Sequence, residues 1–238
     1  MDKEADPTVR LLDALERASG LRTHAQANPA VARRRSALRQ WQSTRLAATH
    51  ADLLAAKRFH LAADFFLTEL YGDKDASGRD ADIARVVPTL AKYLPASGVE
   101  TVADAVELDA LSEDLDAAMA NAIGSGRIDA AAYGAAWRKV GRRDDRERQI
   151  DLVEHLGHAL DRLTRRAFAG TALKLMRKPA AIAGFTDLQA FLETGFDAFL
   201  AMGKGADEFL EAIVSREHAI LVGLFAGDDS VLASGARL

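Results

Sequence analysis

Residues Phe65 to Pro88 read FFLTELYGDKDASGRDADIARVVP, and this stretch predicts where the chain turns back on itself. Its first part is the apolar end of a helix, which Gly72 terminates because glycine adopts positive φ without steric cost. The residues from Asp73 to Asp80 are rich in charged side chains, and helical spacing of apolar residues resumes at Ile83. The stretch therefore predicts a helix, a charged corner and a second helix, which is typical of an all-α fold.

Four charged residues are predicted to hold this corner in place: Asp75, Arg79, Asp80 and Arg85. Asp80 stands where an acidic side chain caps the free N–H groups of the following helix. A ligand site in the loop is the alternative interpretation. Local charge patterns of this kind usually serve caps and turns, so we predict a structural polar network here.

The chain of 238 residues is long enough to bury a substantial core, and we predict one domain that spans residues 1–238. It contains no cysteine, which excludes disulfides, thiol nucleophiles and thiolate-bound zinc and is typical of a reducing compartment. The sequence shows neither a signal segment nor an apolar run of membrane-spanning length, so we predict a cytoplasmic protein. The 31 basic and 35 acidic side chains give a net charge of −4, which predicts no binding to nucleic acid or membranes but leaves local basic patches open.

The spacing of apolar residues is helical throughout and predicts an antiparallel bundle of about eight helices. Pro7 opens an N-terminal helix within residues 1–28, and a second helix from about Ala30 to Tyr71 is long enough to form the spine of the bundle. Residues 227–238 are predicted to form a flexible tail. Because the spine carries two apolar stripes, it needs neighbours on two sides, and on this basis we predict a homodimer. The stripes are Leu38, Trp41, Ala48, Ala55, Phe59, Ala63, Phe66 and Leu70, and Leu46, Leu53, Leu54 and Leu61.

Caps and breaks divide the rest of the chain into further helices. Ser97 with Glu100 three residues later is a capping-box pattern, and Pro179 is expected to stop a long helix. The predicted helices are Asp80–Leu94, Ser97–Ile123, Asp129–Val140, Asp145–Met176, one from Thr186 to the Gly203–Gly205 turn, and Ala206–Phe225.

Charged residues at apolar positions of these helices are the candidate site. Glu217 falls within the apolar stripe of the last helix, and Arg45 and Asp52 fall within a stripe of the spine. Charged groups rarely occupy such positions unless they are paired or liganded. His60 lies at the edge of the spine stripe, and Glu107 borders an apolar face of the helix that begins near Ser97.

Two interpretations of these residues remain open. In the first, an arginine (Arg45 or Arg85) neutralises Asp52 and Glu217 in a buried polar layer that fixes which helices pair and needs no cofactor. In the second, iron or manganese is bound inside the bundle, as in helical carboxylate oxidases, and its ligands are Asp52, His60, Glu107 and Glu217. The first is favoured because no helix carries the Glu-x-x-His repeat of such metal sites.

Other patterns give weaker indications. His155 and His158 lie opposite the apolar face of their helix, which predicts exposure to solvent rather than metal binding. The run Arg33–Arg35 and a later basic row are interpreted as solvated helix faces; the row comprises Arg162, Arg165, Arg166, Lys174, Arg177 and Lys178. Several phenylalanines could line an apolar pocket, although core packing is the ordinary interpretation of their spacing; they are Phe191, Phe196, Phe199, Phe209 and Phe225.

The chain resembles a family of all-helical proteobacterial proteins that has an FFL-x-x-LYG-x-x-D...RD...R-x-x-P signature and no established function. The matching positions are Phe65, Phe66, Leu67, Leu70, Tyr71, Gly72, Asp75, Arg79, Asp80, Arg85 and Pro88. A TVA...EL..LSE.LD pattern follows from Thr101 to Asp116. Relatives often carry Pro in place of Asp73 and Phe in place of Ala76, so the tip of the corner departs from the family pattern. The resemblance implies a helical fold and no mechanism.

The leading functional prediction is a binding or interaction protein without catalysis, whose protein partner the sequence does not identify. A metal-dependent helical-bundle oxidase is the first alternative, and a protein that binds a small apolar ligand is the second. No cofactor is expected in the leading interpretation, whereas the first alternative requires iron or manganese.

Overall fold

A computed structural model of the protein describes residues 6–70, 96–184 and 186–233. Every regular element in these ranges is helical and no strand occurs in them, which confirms the predicted all-α fold class. The charged corner at 71–80 and the predicted helix Asp80–Leu94 lie outside the described residues. The polar network expected at this corner therefore stays a prediction; its members are Asp75, Arg79, Asp80 and Arg85.

Within each described range the elements follow one another with short connections. Before residue 71 the chain forms α1 (Pro7–Ala27), α2 (Pro29–Thr49), α3 (Ala51–Ala55) and α4 (His60–Phe65), and a π-helical turn at Phe66–Leu70 continues α4. After residue 95 come α5 (Ala96–Ile123), α6 (Ala130–Val140), α7 (Arg143–Thr164), α8 (Ala169–Leu175), α9 (Arg177–Ala183), α10 (Thr186–Met202) and α11 (Ala206–Ala226). Short 3₁₀ turns follow α10 at Gly203–Gly205 and α11 at Asp229–Leu232.

Local sequence explains where several of these helices begin and end. The side chains of Asp6 and Asn28 cap α1 and α2, and each helix has a proline in its first turn, where a backbone N–H has no intrahelical partner. Asp129 caps α6 in the same way. Gly141 and Gly227 follow α6 and α11 with positive φ, the conformation that glycine adopts most readily.

α5 is the central helix of the described ranges, because α1, α2, α6 and α7 all pack against it. It contacts its neighbours with different faces. Val106 lies in an apolar cluster with Leu11 and Leu15 of α1, whereas Leu108 belongs to the main core together with Leu152 of α7. The apolar face of this helix changes direction because the helix has neighbours on several sides.

The spine helix predicted from Ala30 to Tyr71 is divided in the structure. α2 ends at Thr49, and the chain leaves α3 at Ala56 in an extended conformation with φ −75° and ψ 114°. The surrounding residues are alanine, lysine and arginine, which favour helix, so local propensity does not explain the break. A tertiary contact stabilises it instead: Arg58 Nε donates a hydrogen bond to the Met202 carbonyl at 3.0 Å.

The predicted helix Asp145–Met176 is also divided, and its apolar stripe stops early. α7 ends at Thr164, and Phe168 adopts a left-handed conformation with φ 68° before α8 begins. Leu163 and Ala167 are exposed, although both continue the helical spacing of Ile150, Val153, Leu156 and Leu160, which predicts one core stripe. The helical spacing of apolar residues therefore extends further along the chain than the neighbouring helices that could cover them.

Pro179, which the sequence predicts as a helix stop, lies within α9. It is the third residue of that helix. A proline is tolerated in the first turn because the N–H groups there have no intrahelical acceptor. The break occurs before this proline rather than at it.

The start of the predicted tail, residues 227–238, is packed against the bundle. The 3₁₀ turn there buries Leu232. Asp229 accepts hydrogen bonds from Arg138 of α6 at 2.7 and 3.3 Å. One ion pair and the apolar side chains of Val231 and Leu232 thus hold this segment. Residues 234–238 lie outside the described residues.

Gly157 marks a close approach of α7 and α11. A β-carbon added there would lie 2.3 Å from Cδ2 of Leu210, whose side chain is buried. We therefore expect Gly157→Ala to lower the free energy of unfolding by about 1–3 kcal/mol, because a buried side chain has to be displaced.

Gly20→Ala is the matched control. No described atom lies within 4 Å of its added β-carbon, so the higher helix propensity of alanine is expected to raise the free energy of unfolding by about 0.5–1 kcal/mol. Urea denaturation followed by circular dichroism measures both variants. Equal effects of the two substitutions would contradict the close approach at Gly157.

Candidate functional site

Glu217 of α11 lies between two basic side chains, Arg45 of α2 and His50, the residue that follows α2. Its Oε1 atom is 2.5 Å from Arg45 Nη1 and 3.1 Å from His50 Nε2, and its side chain is 17% exposed. Burial by itself would raise the pKa of Glu217, but Arg45 and His50 outweigh it and lower the pKa to about 2. The structure therefore brings Arg45 and Glu217 together and adds His50, which sequence reasoning missed.

Asp52 is paired with Arg216 of α11 and not with Arg45. The guanidinium forms two hydrogen bonds with the Asp52 carboxylate, each 2.7 Å long. These hydrogen bonds are the largest cause of the lowered pKa of Asp52. His60 is exposed, and its Nδ1 atom lies 2.8 Å from the carbonyl oxygen of Leu54.

Glu107 of α5 belongs to a different ion-pair group, shared with α1 and α7. It contacts Arg10, and its Oε1 atom accepts a hydrogen bond from Arg148 Nε at 2.9 Å. Arg10 also pairs with the buried Asp104 at 2.8 Å. Burial would raise the pKa of Glu107, but the two arginines lower it overall.

The structure does not bring together the four residues considered as metal ligands. Each of the three carboxylates has its own arginine partner, and His60 contacts a backbone carbonyl. Within the described ranges, no three His, Asp or Glu side chains lie close enough together to hold a metal ion. His155 is exposed and His158 is partly exposed, and each lies within 4.0 Å of a carboxylate.

Six charged side chains of α1, α2 and α5 form a group that sequence reasoning missed. We call it the Glu113 cluster, and it comprises Arg22, Arg35, Arg39, Asp109, Glu113 and Asp116. Glu113 is 2% exposed and contacts all three arginines. Arg22 also binds Asp109 at 2.6 Å, and Arg39 binds Asp116 at 3.1 Å. Three positive and three negative charges balance, so the cluster fixes how three helices pair.

The spacing of the acidic residues carries a signal for this cluster. Asp109, Glu113 and Asp116 follow one another at intervals of four and three residues, which places them on one face of a helix. Arg35 and Arg39 are four residues apart, but Arg35 is buried and does not lie on a solvated face as predicted. Sequence does not show that the two faces meet, because Arg39 and Glu113 are 74 positions apart.

The phenylalanines considered as the lining of an apolar pocket do not share one cluster, and Phe196 is buried outside both clusters that contain the others. The main core contains Phe65, Phe66, Phe191, Phe199 and Phe209. Phe225 instead packs near Trp137, with 6.1 Å between ring centroids. Phe66 and Phe209 are 5.7 Å apart by the same measure, so the rings of the main core contact one another. This arrangement is that of a packed core.

A groove lies between the start of α2 and the end of α5, and its volume is ≈ 290 Å³. Asn28 caps α2 beside it, and Gly124 follows α5 with φ 73°. Small side chains along both helices leave the space open. The lining includes Arg33, Arg34, Ala37, Ile123, Ser125 and Ile128.

Two arginines of α2 line this groove without an acidic partner. Arg33 is exposed and Arg34 is partly buried. Neither forms a hydrogen bond or an ion pair within the part of the chain that the structure describes. The Nε atom of Arg34 is buried and has no acceptor there. This atom is not accessible from outside, so a ligand in the groove would contact the terminal nitrogens of the two guanidinium groups instead.

The groove combines positive charge with apolar contact. A guanidinium presents several N–H donors in a plane, which matches the oxygens of a carboxylate or a phosphate. Ile123 and Ile128 offer apolar surface beside these donors. The carbonyl groups at the end of α5 carry partial negative charge, yet neither arginine forms a hydrogen bond with them. The arrangement can therefore bind an anionic group attached to an apolar body.

The fold and the groove define a helical-bundle protein with an arginine-lined groove. A family described as "Domain of unknown function (DUF8198)" matches residues 21–231, and the chain belongs to this family. No curated protein and no solved structure matches the chain. The matched range includes both the groove and the Glu113 cluster. Within the described ranges, no helix is long and apolar enough to span a bilayer.

Proposed function

We propose that the protein is a binding protein without catalysis, and that the groove between α2 and α5 holds a small ligand with an anionic group. The observation that carries the proposal is the pair Arg33 and Arg34, which line the groove and form no ion pair or hydrogen bond within the described chain. The arginines of the other groups described above have carboxylate partners, whereas those of the groove have none among the described residues. Its two arginines are thus available for a ligand.

The size and lining of the groove limit the ligand. A volume of ≈ 290 Å³ lies at the low end of the range for small-molecule sites, which is about 300–1,000 Å³. Ile123 and Ile128 suit an apolar portion of a few carbon atoms, while the arginines suit its carboxylate or phosphate. We therefore expect a small amphipathic anion rather than a nucleotide or a lipid.

The absence of catalysis is proposed from the chemistry of the lining. No carboxylate or imidazole lines the groove among the described residues, so no side chain there suits proton transfer near neutral pH. Ser125 supplies a hydroxyl, but a serine needs an adjacent base to act as a nucleophile. These side chains are suited to holding a ligand.

Phenyl phosphate is a suitable probe, and phenol is its neutral control. We expect isothermal titration calorimetry to show binding of phenyl phosphate and none of phenol.

Arg34→Gln is expected to weaken the binding of phenyl phosphate by at least about tenfold, because it removes a charge-assisted hydrogen bond. Ala37→Leu tests the same site by filling the groove. Arg143→Gln is the matched control, because Arg143 pairs with Glu147 on α7.

Three results would overturn the proposal. The first is no binding of phenyl phosphate, and the second is binding that Arg34→Gln and Ala37→Leu leave unchanged. The third is conversion of the probe to phenol and inorganic phosphate, which would contradict the absence of catalysis. Thermal unfolding of each variant shows that it is folded.

The homodimer stays a prediction. Its sequence basis was a continuous spine helix with two apolar stripes, and the structure divides that helix at Thr49 and Ala56. Light scattering over a range of protein concentrations tests it. A monomer mass at all concentrations would contradict it.

A further inference from the structure

The segment Arg162–Gly184, which contains the end of α7 together with α8 and α9, differs in charge from the rest of the chain. It holds six of the 31 basic residues and none of the 35 acidic residues. The remainder therefore carries 25 basic against 35 acidic side chains. We call Arg162–Gly184 the basic segment.

Most of the cations in the basic segment have no partner in the described chain. Arg165 pairs with Asp161, and Arg177 pairs with Glu193. The other four are exposed and form no ion pair or hydrogen bond within the described ranges; they are Arg162, Arg166, Lys174 and Lys178. Acidic residues of neighbouring helices, among them Glu193 and Asp197, lie close to parts of the segment. The four cations without an ion-pair partner nevertheless leave the segment with a net positive charge in an otherwise acidic protein.

The same segment exposes large apolar side chains. Ile182 is 89% exposed, Phe168 is 83% exposed and Leu175 is 72% exposed. Leu163 and Met176 are also exposed, so five of the eleven exposed large hydrophobic residues of the described ranges lie in these 23 positions. Single exposed apolar residues are ordinary, but this concentration indicates a binding surface.

Phe168 is unfavourable for the isolated chain in two ways. Its φ of 68° is a left-handed conformation that bulky residues rarely adopt. Its ring gains almost nothing from burial, because 83% of the residue is accessible. A strained and exposed aromatic residue is understandable when the ring is buried by a partner.

We propose that the basic segment binds the surface of an anionic lipid bilayer. The exposed cations are complementary to acidic headgroups, and Phe168, Leu175 and Ile182 are suited to insertion among the upper parts of the acyl chains. These three side chains lie at the two ends of α8 and near the end of α9, spread over 15 positions. A bilayer accepts projecting apolar groups at separate points, whereas a folded protein partner needs a matching surface for each of them. The acidic remainder of the chain then faces away from the membrane, which orients the protein.

Sedimentation with lipid vesicles tests the proposal. We expect binding to phosphatidylcholine vesicles that contain about one-third phosphatidylglycerol and no binding to pure phosphatidylcholine. Raising the salt concentration from about 0.1 M to about 0.5 M is expected to weaken the association strongly, because salt screens exposed charges.

Variants separate the contributions of charge and of insertion. A variant in which glutamine replaces all four unpaired cations is expected to bind vesicles about a hundredfold more weakly. The replaced residues are Arg162, Arg166, Lys174 and Lys178. The matched control places glutamine at Arg17, Lys57, Arg127 and Lys139, four exposed cations outside the segment, and is expected to bind as the unmodified protein does.

Phe168→Ser with Ile182→Ser is expected to weaken vesicle binding by at least about tenfold, because two inserted side chains are lost. Val9→Ser with Leu61→Ser is its control, since both residues are about half exposed on other helices.

The proposal is overturned if anionic vesicles do not bind at low salt, or if binding survives both sets of substitutions in the basic segment. It is also overturned if an acidic amphipathic peptide binds the segment while vesicles do not.

The variant Arg33→Gln with Arg34→Gln tests whether vesicles bind at the groove instead of the basic segment. We expect this variant to bind vesicles as the unmodified protein does. Loss of vesicle binding would contradict the assignment to the basic segment.

Discussion

Replacement of Glu113 by alanine is expected to lower the free energy of unfolding by about 3–5 kcal/mol. Glu113 is almost fully buried and contacts Arg22, Arg35 and Arg39, of which the first two are also buried. Removing the carboxylate leaves three clustered guanidinium groups with only Asp109 and Asp116 to balance them. The remaining charge is buried between α1, α2 and α5, where water cannot replace the lost partner.

Asp114→Ala is the control for this prediction, because it removes an acidic side chain from the next position of the same helix. Asp114 is about half exposed and pairs with Arg142 at 2.8 Å. A pair of this kind contributes about 0–1 kcal/mol. Differential scanning calorimetry is expected to show a fall in melting temperature of roughly 10 °C for Glu113→Ala and a small change for the control. Similar shifts for the two variants would show that the Glu113 cluster does not stabilise the bundle.

The second large effect concerns the pH dependence of stability at Glu217. Its pKa is lowered from 4.5 to about 2, mainly because the charge of Arg45 outweighs the effect of burial. Since one pKa unit corresponds to about 1.4 kcal/mol, the ionised Glu217 contributes about 3 kcal/mol to the free energy of unfolding at neutral pH. This contribution is present in full above pH 4.5, where the carboxylate is ionised in both states. It is lost as the pH falls from 4.5 to about 2, because the unfolded chain then binds a proton that the folded protein does not.

Glu217→Gln makes this dependence measurable. The variant lacks the charge at every pH, so we expect it to be less stable than the unmodified protein by about 3 kcal/mol near pH 6. The difference is expected to shrink steadily below pH 4.5 and to approach zero near pH 2. Urea denaturation at intervals between pH 3 and pH 6 measures this slope.

Glu211→Gln is the matched control, since it makes the same substitution at an exposed position of the same helix. Its stability is expected to follow that of the unmodified protein throughout the pH range. A constant difference between Glu217→Gln and the unmodified protein, independent of pH, would contradict the lowered pKa of Glu217. Such a result would mean that Glu217→Gln changes stability through packing alone.

The ion-pair groups around Glu107, Glu113 and Glu217 share one arrangement. Each joins α5 or α11 to an N-terminal helix, and the residues that pair are usually far apart in the chain. Such groups fix which helices are neighbours, since an incorrect pairing leaves a charge buried without a partner. Because these interior charges are occupied by one another, we place the proposed functions at the groove and at the basic segment.

Several features were predictable from local chemistry. Proline with Asp6 or Asn28 determines where α1 and α2 begin, and glycine determines where α6 and α11 end. The buried positions of Arg45 and Glu217 followed from their place in apolar stripes. The third partner, His50, did not follow, because a histidine at the end of α2 has no periodic signal of its own.

The breaks in the predicted long helices show the limit of such reasoning. Ala56 is extended and Phe168 is left-handed within stretches whose composition favours helix. Arg58 is hydrogen-bonded to Met202, and a contact of this kind depends on residues far away in the sequence. The spacing of apolar residues predicts which face of a helix packs against a neighbour. It does not predict where that neighbouring helix ends.

The stretch from Phe65 to Pro88 illustrates the same division. By itself the sequence determined that this chain is helical, because apolar spacing, caps and glycine stops all act within a few residues. Only the tertiary structure decided that Asp52 pairs with Arg216, that Glu113 joins three arginines, and that Arg33 and Arg34 line a groove in which the described residues offer no acidic partner. The physical reason is that an ion pair depends on the distance between two side chains, and that distance is set by the packing of helices that are remote in sequence.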